Sequence, residues 1–262
     1  CLPRRKSFTS SIDQVYTDPM VRRKTFRYRV YPSAAQIARL EQWEHALRFL
    51  WNLAHEQRLL GLARPCGERR YYSAFDQINE LTELRVELPW LADVPRNVCS
   101  QLLVELDRAW QRCFKGLARR PRWKTKGRDQ VNPCEPHPKV WRLDGEQLRF
   151  PKLGWMRAIV HRPLEGTPKT CTLVREVDQW FACISTVLEV ADPAPRTEPR
   201  VALDRGVVNI VADSDGNVIP NPRYLERSLR QLARAQRTVS RRKKGSKRRE
   251  KAKIRVAKLH RK

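Results

Sequence analysis

Residues 200–217 read R-V-A-L-D-R-G-V-V-N-I-V-A-D-S-D-G-N, and this stretch decides the fold class of the second half of the chain. It contains two short apolar runs, V-A-L at 201–203 and V-V-N-I-V-A at 207–212. Apolar runs bounded by turn residues such as Asp215-Gly216 predict strands, and Gly206 between the runs allows a close backbone approach. The stretch therefore predicts two strands of a sheet, with Asp204 at the edge of its core.

Asp204 is compatible with two interpretations. Carboxylates held on a strand bind divalent cations, and two such cations stabilise the attacking and leaving oxygens of a phosphodiester. The same local sequence also fits a polar residue that simply ends a strand. Asp213 and Asp215 lie nearby, but both flank a turn that favours aspartate, so turn chemistry explains them better. Residues outside the stretch have to decide between the two interpretations.

The charge of the chain points to a polyanionic partner. Its 262 residues carry a net charge of +26, from 54 lysines and arginines against 28 aspartates and glutamates. Residues 223–262 alone contain 18 basic and 2 acidic side chains, and they predict a helix over 224–244 and a second helix after a break at Gly245-Ser246. A basic surface releases counterions when it binds phosphates, which favours a nucleic acid as the ligand.

Cysteine spacing and hydropathy indicate the compartment. The seven cysteines are widely spaced without a C-x-x-C pair, which predicts reduced thiols in the cytoplasm. We expect the protein to be associated with the nucleoid there. No apolar run is long enough to span a membrane. Cys134 and His137 have C-x-x-H spacing, but a zinc site needs a second pair of ligands, so we interpret this spacing as incidental. Because the chain starts before Met20 and stops inside a helical pattern, we expect a partial sequence with a disordered or non-native leader at 1–19.

Short strands are predicted on both sides of a helical region. Residues 24–31 alternate basic and apolar side chains, which predicts a half-buried strand with Arg27 and Arg29 on its solvated face. Between 139 and 190 the apolar period is again two, with turn signals such as Asp144-Gly145. Regular short strands of this kind suggest a small barrel.

The intervening helices have recognisable boundaries. Ser33 and Gln36 can form a capping box, and the helix that they start is predicted to end at Gly61. Two further helices are predicted, one from Ser73 and one over 97–117. Their predicted apolar faces consist of Phe75, Ile78, Leu81, Leu102, Leu106, Trp110 and Phe114.

A basic loop with one aromatic residue follows these helices. Residues 118–128 read A-R-R-P-R-W-K-T-K-G-R, and the cations around Trp123 are Arg119, Arg120, Arg122, Lys124, Lys126 and Arg128. Such a loop can offer cations to phosphates and an aromatic face to a base. It can equally be a solvated loop with Trp123 packed into the core, and the sequence leaves both interpretations open.

Several motifs, taken in their order along the chain, resemble the TnpB (OrfB) family. These motifs are Y-P-S-x-x-Q at 31–36, R-F-L-W-N-L-A at 48–54, F-P-K-L-G-W at 150–155, A-L-D-R-G at 202–206, N-P-R-Y-L at 221–225 and S-R-R-K-K-G-S-K-R-R at 240–249. Proteins of that family are transposon-encoded RNA-guided DNA endonucleases related to the type V CRISPR effectors. The family usually has G-I-D-L-G where this chain has A-L-D-R-G, so Arg205 places a cation where an apolar side chain normally packs.

The resemblance implies an α+β multi-domain architecture. It implies an OB-like wedge β-barrel interrupted by a helical recognition lobe, followed by the first strands of an RNase H-like RuvC α/β domain. The expected boundaries are a leader at 1–19, the first wedge strand at 20–32, a helix-turn-helix-like lobe at 33–126, the rest of the wedge at 127–190, a proline-rich linker at 191–199, the first RuvC segment at 200–222 and basic helices at 223–262.

The resemblance also implies partners, cofactors and site residues. A guide RNA and target double-stranded DNA are the expected partners, and Asp204 is the expected first RuvC carboxylate, a ligand of Mg²⁺ or Mn²⁺. The other catalytic acids and a four-cysteine zinc ribbon would follow residue 262, which leaves catalysis incomplete in this chain. The expected nucleic-acid contacts are Arg27, Arg29, Arg119, Arg120, Arg122, Trp123, Lys124, Lys126, Arg128, Lys152, Arg230, Arg234, Arg237, Arg241, Arg242, Lys243, Lys244, Lys247 and Arg248.

Two functional hypotheses follow. In the first, the parent protein is a metal-dependent, RNA-guided DNA endonuclease tied to transposition, and this chain provides part of its nucleic-acid-binding half. In the second, the chain is a non-catalytic DNA- or RNA-binding protein, such as a repressor or a transposon remnant. Substitution of Asp204 separates them, because only the first hypothesis gives its carboxylate a task.

Overall fold

The computed structural model describes residues 20–190 and 201–261. They belong to two compact units, the first ending at Ala191 and the second starting at Asp192. The leader predicted for 1–19 and the linker predicted for 191–199 lie outside the described residues. Within the described ranges, no helix has both the length and the apolar character needed to cross a bilayer.

The first unit contains an antiparallel sheet of seven strands in the order β2-β6-β7-β1-β5-β4-β3. The strands are β1 (Met20–Tyr31), β2 (Cys134–Glu135), β3 (Arg142–Asp144), β4 (Gln147–Phe150), β5 (Gly154–Ile159), β6 (Thr167–Glu176) and β7 (Gln179–Val190). The strands predicted between 139 and 190 are confirmed, with shifted boundaries, whereas β2 was not predicted from the sequence.

Strand β1 lies in the middle of this sheet, although a helical region separates it from the other strands in the sequence. It pairs with β7 along most of its length and with β5 at its end. Phe26, Tyr28 and Val30 are buried, while Arg27 is exposed and Arg29 is half-buried. The alternation predicted from the sequence is therefore confirmed, because successive side chains on a strand point to opposite faces.

Four helices follow β1: α1 (Ala34–Leu62), α2 (Ala74–Glu87), α3 (Pro89–Ala92) and α4 (Arg96–Phe114). The capping box of α1 is confirmed, because the Gln36 amide donates to Ser33 Oγ at 3.3 Å and the Ser33 amide donates to Gln36 Oε1 at 2.8 Å. Helix α2 begins with a second box formed by Ser73 and Asp76. Helix α4 stops at Phe114 rather than at 117, because Gly116 has φ +69, which a helix does not accommodate.

One continuous core joins the helices to the sheet. The rings of Trp43 in α1 and Phe150 in β4 have centroids 6.4 Å apart. Leu81, Leu102, Leu106 and Trp110 are buried, as the helical periodicity predicts. The prediction was wrong for two residues that are exposed, Phe75 and Phe114. The buried residues of α2 are Gln77 and Leu81. Gln77 is buried because its side-chain amide bonds to α1: its oxygen accepts from Arg58, and its nitrogen donates to the Ala54 carbonyl.

The second unit contains a three-stranded antiparallel sheet in the order β10-β9-β8 and a helical hairpin. Its elements are β8 (Leu203–Asp204), β9 (Asn209–Asp213), β10 (Val218–Pro220), α5 (Tyr224–Arg241) and α6 (Lys247–Arg261). Helix α5 ends three residues before the predicted end at 244, and β10 was not predicted.

The apolar runs that defined this sheet in the sequence differ from the observed strands. Val207 and Val208 were expected inside a strand, but they form the bend between β8 and β9 and are 89% and 84% exposed. Asn221 fixes this bend, since its side-chain amide donates to the Val207 carbonyl at 2.8 Å. The close approach expected at Gly206 is confirmed, because a Cβ there would lie 3.0 Å from the Asn209 carbonyl oxygen.

Candidate nucleic-acid interface

The basic loop, residues 118–128, is attached to α1 through its backbone. The indole nitrogen of Trp51 donates to the Arg122 carbonyl at 3.1 Å. The side-chain amide of Asn52 donates to the Lys124 carbonyl at 3.0 Å, and the Lys124 backbone amide donates to Asn52 Oδ1 at 2.8 Å. The two α1 residues therefore fix the loop backbone on both sides of Trp123.

Trp123 combines the two interpretations left open by its sequence. Its ring makes an edge-to-face contact with the His55 ring, with centroids 4.9 Å apart, yet the residue remains 45% exposed. His55 is buried and also contacts Trp110, with centroids 5.5 Å apart. Burial, and then the nearby Arg58 cation, lower the pKa of His55, so the imidazole is neutral at neutral pH. One part of Trp123 is packed against a neutral ring while another part stays open to a ligand.

The cations of the basic loop differ in their surroundings. Arg128 pairs with Asp129 at 3.0 Å, and the pKa of Asp129 is lowered first by a backbone amide of Thr125 and then by Arg128. Lys124 holds its ammonium 4.8 Å from the centre of the Trp51 ring. The remaining predicted cations of the loop are exposed: Arg119, Arg120, Arg122 and Lys126.

Three other predicted contacts on the first unit are engaged within the protein. The Arg27 guanidinium carbon lies 3.8 Å from the centre of the Phe181 ring, and the group also forms an ion pair with Glu176. Arg29 is half-buried beside the Tyr31 ring. The Lys152 ammonium donates to the Ala92 carbonyl at 2.7 Å, which joins the turn before β5 to the end of α3. These cations contribute to the fold in addition to any role in binding.

The second unit presents its cations on the α5–α6 hairpin. Ala235 and Ala252 are buried in the seam between the helices, where small side chains allow close packing. Beside the seam lies a groove of about 750 Å³. Its charged walls are formed by Arg234, Arg242, Lys251 and Arg255. The predicted contacts of this unit are all exposed: Arg230, Arg234, Arg237, Arg241, Arg242, Lys243, Lys244, Lys247 and Arg248.

Hydrogen bonds hold the turn of this hairpin. Ser246 caps α6, since its hydroxyl accepts from the Arg249 backbone amide at 3.2 Å. Arg242 donates from its guanidinium to the Arg248 carbonyl at 2.7 Å. Lys251 and Arg255 line the groove beside Arg234 and Arg242 but were not predicted as contacts. Their positive charge within a basic helical pattern was the signal that could have identified them.

Asp204 lies at the end of β8 and is exposed. It pairs with Ala212, and Asp213 pairs with Leu203, so Asp204 and Asp213 belong to opposite faces of the sheet. Asp213 accepts hydrogen bonds from the Asn217 backbone and side-chain amides, both at 2.7 Å. These hydrogen bonds lower the pKa of Asp213, and the bond from the Asn217 side chain has the larger effect. Both bonds lie within the turn, which confirms the prediction that turn chemistry accounts for an aspartate at this position.

Residues 20–190 and 201–261 contain no group of three or more His, Cys, Asp or Glu side chains placed to hold a metal ion. The donor set of a two-cation centre is therefore not assembled around Asp204 by the described residues. Exposed cations, by contrast, are present on both units.

Comparisons with known proteins match both ends of the chain. Residues 183–262 match a family model described as "OrfB_IS605: Probable transposase", and residues 20–59, which form β1 and most of α1, match a helix-turn-helix domain model of the same family. The chain is 30% identical over 249 residues to "Putative RNA-guided DNA endonuclease InsQ" of Escherichia coli (strain K12), a match that covers 92% of this chain and 60% of that protein. The chain belongs to the TnpB (OrfB) family.

A second relative supports the assignment to the TnpB family. "Putative RNA-guided DNA endonuclease" of Streptomyces pristinaespiralis is 31% identical over 250 residues, covering 91% of this chain and 60% of that protein. The chain thus spans 60% of the length of each of these relatives. A solved "Cas12f1-sgRNA-target DNA complex" aligns with 92% of this chain and 75% of its own, at a TM-score of 0.47 and 11% identity.

Proposed function

We propose that this chain is the nucleic-acid-binding part of an RNA-guided DNA endonuclease that acts in transposition, with a guide RNA and target double-stranded DNA as its partners. The names of its TnpB-family relatives and the transposase family model support this proposal. The observation that carries it is the groove of the α5–α6 hairpin, whose four cations can follow a phosphodiester backbone. Such a protein would act in the cytoplasm, in association with the nucleoid.

The proposed architecture assigns a task to each unit. The seven-stranded sheet would be an OB-like wedge barrel that binds the guide scaffold, and helices α1 to α4 would be the recognition lobe inserted into it. The central position of β1 between β7 and β5 supports an insertion, because the chain leaves the sheet and returns to it. Strands β8 to β10 would be the first strands of an RNase H-like RuvC domain, and α5 and α6 its basic helices.

Asp204 would be one ligand of a catalytic Mg²⁺ or Mn²⁺ ion. When bound, such ions activate water and stabilise the leaving oxygen of the phosphodiester. Because the described residues assemble no group of three or more possible metal ligands, we assign to them binding of nucleic acid and not its cleavage. Zinc would be bound only by a cysteine-rich segment of the complete protein.

Binding through the hairpin groove can be tested by the salt dependence of affinity. The affinity of the chain for a single-stranded RNA is measured by fluorescence anisotropy at several salt concentrations. Changing Arg234, Arg242, Lys251 and Arg255 to Gln should reduce the slope of log K against log salt by about 3, since each phosphate contact contributes about 0.7. A control with equal charge loss changes four exposed cations elsewhere to Gln: Arg64, Arg112, Lys139 and Arg149. Equal losses in the two variants would contradict the groove assignment.

The alternative function is non-catalytic binding of DNA or RNA. It is favoured by the exposure of Asp204, which belongs to no group of three or more possible metal ligands among the described residues. The two functions differ in whether Asp204 binds Mn²⁺, which can be followed by the electron paramagnetic resonance of free Mn²⁺. If Asp204 is a ligand, Asp204→Ala weakens Mn²⁺ binding, whereas Asp215→Ala in the neighbouring turn does not. Identical titrations of the wild type and both variants would leave only the non-catalytic function.

A further inference from the structure

The basic loop has little backbone structure of its own. Within the described part of the chain, residues 118–124 make no hydrogen bond to another backbone group, and the loop lies outside every helix and strand. Side chains hold its backbone instead. The pair formed by Trp51 and Asn52, here called the latch, makes three hydrogen bonds to the backbone of Arg122 and Lys124. Arg128 adds a longer hydrogen bond to the Trp123 carbonyl, at 3.4 Å. A loop of this kind becomes ordered only through its side-chain partners.

We infer that Trp51 and Asn52 are positioning residues for a single-stranded nucleic acid bound at the basic loop. This inference rests on the proposed function. It adds that the basic loop is a binding site, that the nucleic acid bound there is single-stranded, and that Trp51 and Asn52 position the loop for binding. Neither latch residue contacts the ligand. Both act by holding Trp123 and the cations next to it in a binding geometry before the ligand arrives.

The half-exposed ring of Trp123 argues for a single strand. An aromatic face can stack on a base only where the base is not already stacked inside a duplex. Arg122, directly before Trp123, is exposed, so a base on the Trp123 ring would have a cation available to its neighbouring phosphate. The latch fixes the backbone of the two residues next to Trp123. Rotation of the backbone at either residue would turn the Trp123 ring away from a bound base.

The latch is specific in its chemistry. Asn52 uses both ends of its amide on one residue, donating to the Lys124 carbonyl and accepting from the Lys124 amide. Aspartate can accept but cannot donate there, and alanine can do neither. Phenylalanine at position 51 would keep a ring beneath the Lys124 ammonium and would lose the hydrogen bond to Arg122.

The test measures binding of labelled oligonucleotides of about 12 residues, as single-stranded RNA and as duplex DNA, by fluorescence anisotropy. We expect Asn52→Ala to bind the single strand about tenfold more weakly, which corresponds to the loss of one or two hydrogen bonds. Asn52→Asp and Trp51→Phe should fall between Asn52→Ala and the wild type. Asn79→Ala, an exposed asparagine of α2, is the matched control and should bind like the wild type.

A double-mutant cycle separates positioning from general stability. If the latch acts through Trp123, the effect of Asn52→Ala shrinks to less than about twofold in a Trp123→Ala background. Trypsin should also cut the basic loop faster in Asn52→Ala, while the Tm of the variant stays within a few degrees of the wild type. An effect of Asn52→Ala that persists in the Trp123→Ala background would overturn the inference, because the substitution would then act elsewhere.

The remaining outcomes are also decisive. If the wild type binds the single strand and Asn52→Ala binds it equally well, the latch has no positioning role and the proposed function stands. If Asn52→Ala weakens binding of duplex DNA alone, the ligand assigned to the loop is wrong. If the wild-type chain binds neither oligonucleotide, the proposed function fails and the inference fails with it.

Discussion

Arg58 is a fully buried cation inside the helical part of the first unit, and its partners make a quantitative prediction possible. Its guanidinium donates twice to Gln77 Oε1, at 3.0 and 2.7 Å, and once to the Tyr71 hydroxyl at 2.8 Å. Its counter-charge is Asp107, with 3.2 Å between Arg58 Nη1 and Asp107 Oδ1. Burial lowers the pKa of Arg58 while Tyr71 and Asp107 raise it, so the ion depends on these neighbours.

The substitution Asp107→Asn removes the counter-charge and little else. The amide oxygen of asparagine can still accept from the Tyr71 hydroxyl and from the Ala74 backbone amide, as Asp107 does at 2.8 and 3.1 Å. Removing one partner of a buried ion pair costs about 3–5 kcal/mol. Because the Asp107 side chain is 22% exposed and both hydrogen bonds survive, we expect the lower end of that range, about 3 kcal/mol.

The control applies the same chemical change to an exposed ion pair of the same unit. Arg142 Nη2 and Asp144 Oδ2 are 3.2 Å apart, and the two side chains are 70% and 62% exposed. Asparagine also suits the turn before Gly145, so Asp144→Asn should cost less than about 1 kcal/mol. The contrast between the two variants isolates the effect of burial on the charge.

Urea unfolding followed by tryptophan fluorescence is a suitable assay. All 8 tryptophans lie between Trp43 and Trp180, so the signal reports on the first unit alone. Asp107→Asn should lower the unfolding midpoint without changing the slope m, which indicates a change in stability and not in the unfolding reaction. If Asp107→Asn and Asp144→Asn agree within about 0.5 kcal/mol, the premise that Arg58 needs a buried counter-charge is wrong.

Two further predictions use titratable groups of the same unit. Burial raises the pKa of Glu135 above its unfolded value of about 4.3, so its contribution to stability is complete below that pH and is lost as the pH rises through the raised pKa. Glu135→Gln should remove this part of the pH dependence of the urea midpoint, and an unchanged pH profile would contradict the assignment. Burial raises the pKa of Cys99 to about 11, whereas Cys66 is exposed. Iodoacetamide at about pH 8 should therefore label Cys66 in the folded protein and Cys99 only after unfolding, as peptide mass mapping would show.

The candidate site illustrates how far sequence reasoning reaches. The charge of the α5–α6 hairpin and of the basic loop is a property of composition, so its partner class could be predicted directly. The latch could not be predicted, because Asn52 and Lys124 are far apart in the sequence and neither segment contains a signal that the two residues form hydrogen bonds. His55 was likewise unassigned, since its burial beside Trp123 results from the packing of α1 against the loop.

Sequence alone determined the features of this protein that depend on neighbouring residues. The alternation of β1, the capping box at Ser33, the turn at Asp215-Gly216 and the basic character of the last helices are all local, and each was predicted correctly because the interactions involved span only a few residues. Tertiary structure alone decided which residues of an apolar run are buried, as at Val207 and Phe75, and which polar groups meet across the fold, as at Asn52 and Arg58. Burial and long-range hydrogen bonds depend on the chain as a whole, because the packing partner of a residue is set by the path of the backbone and not by its own neighbours.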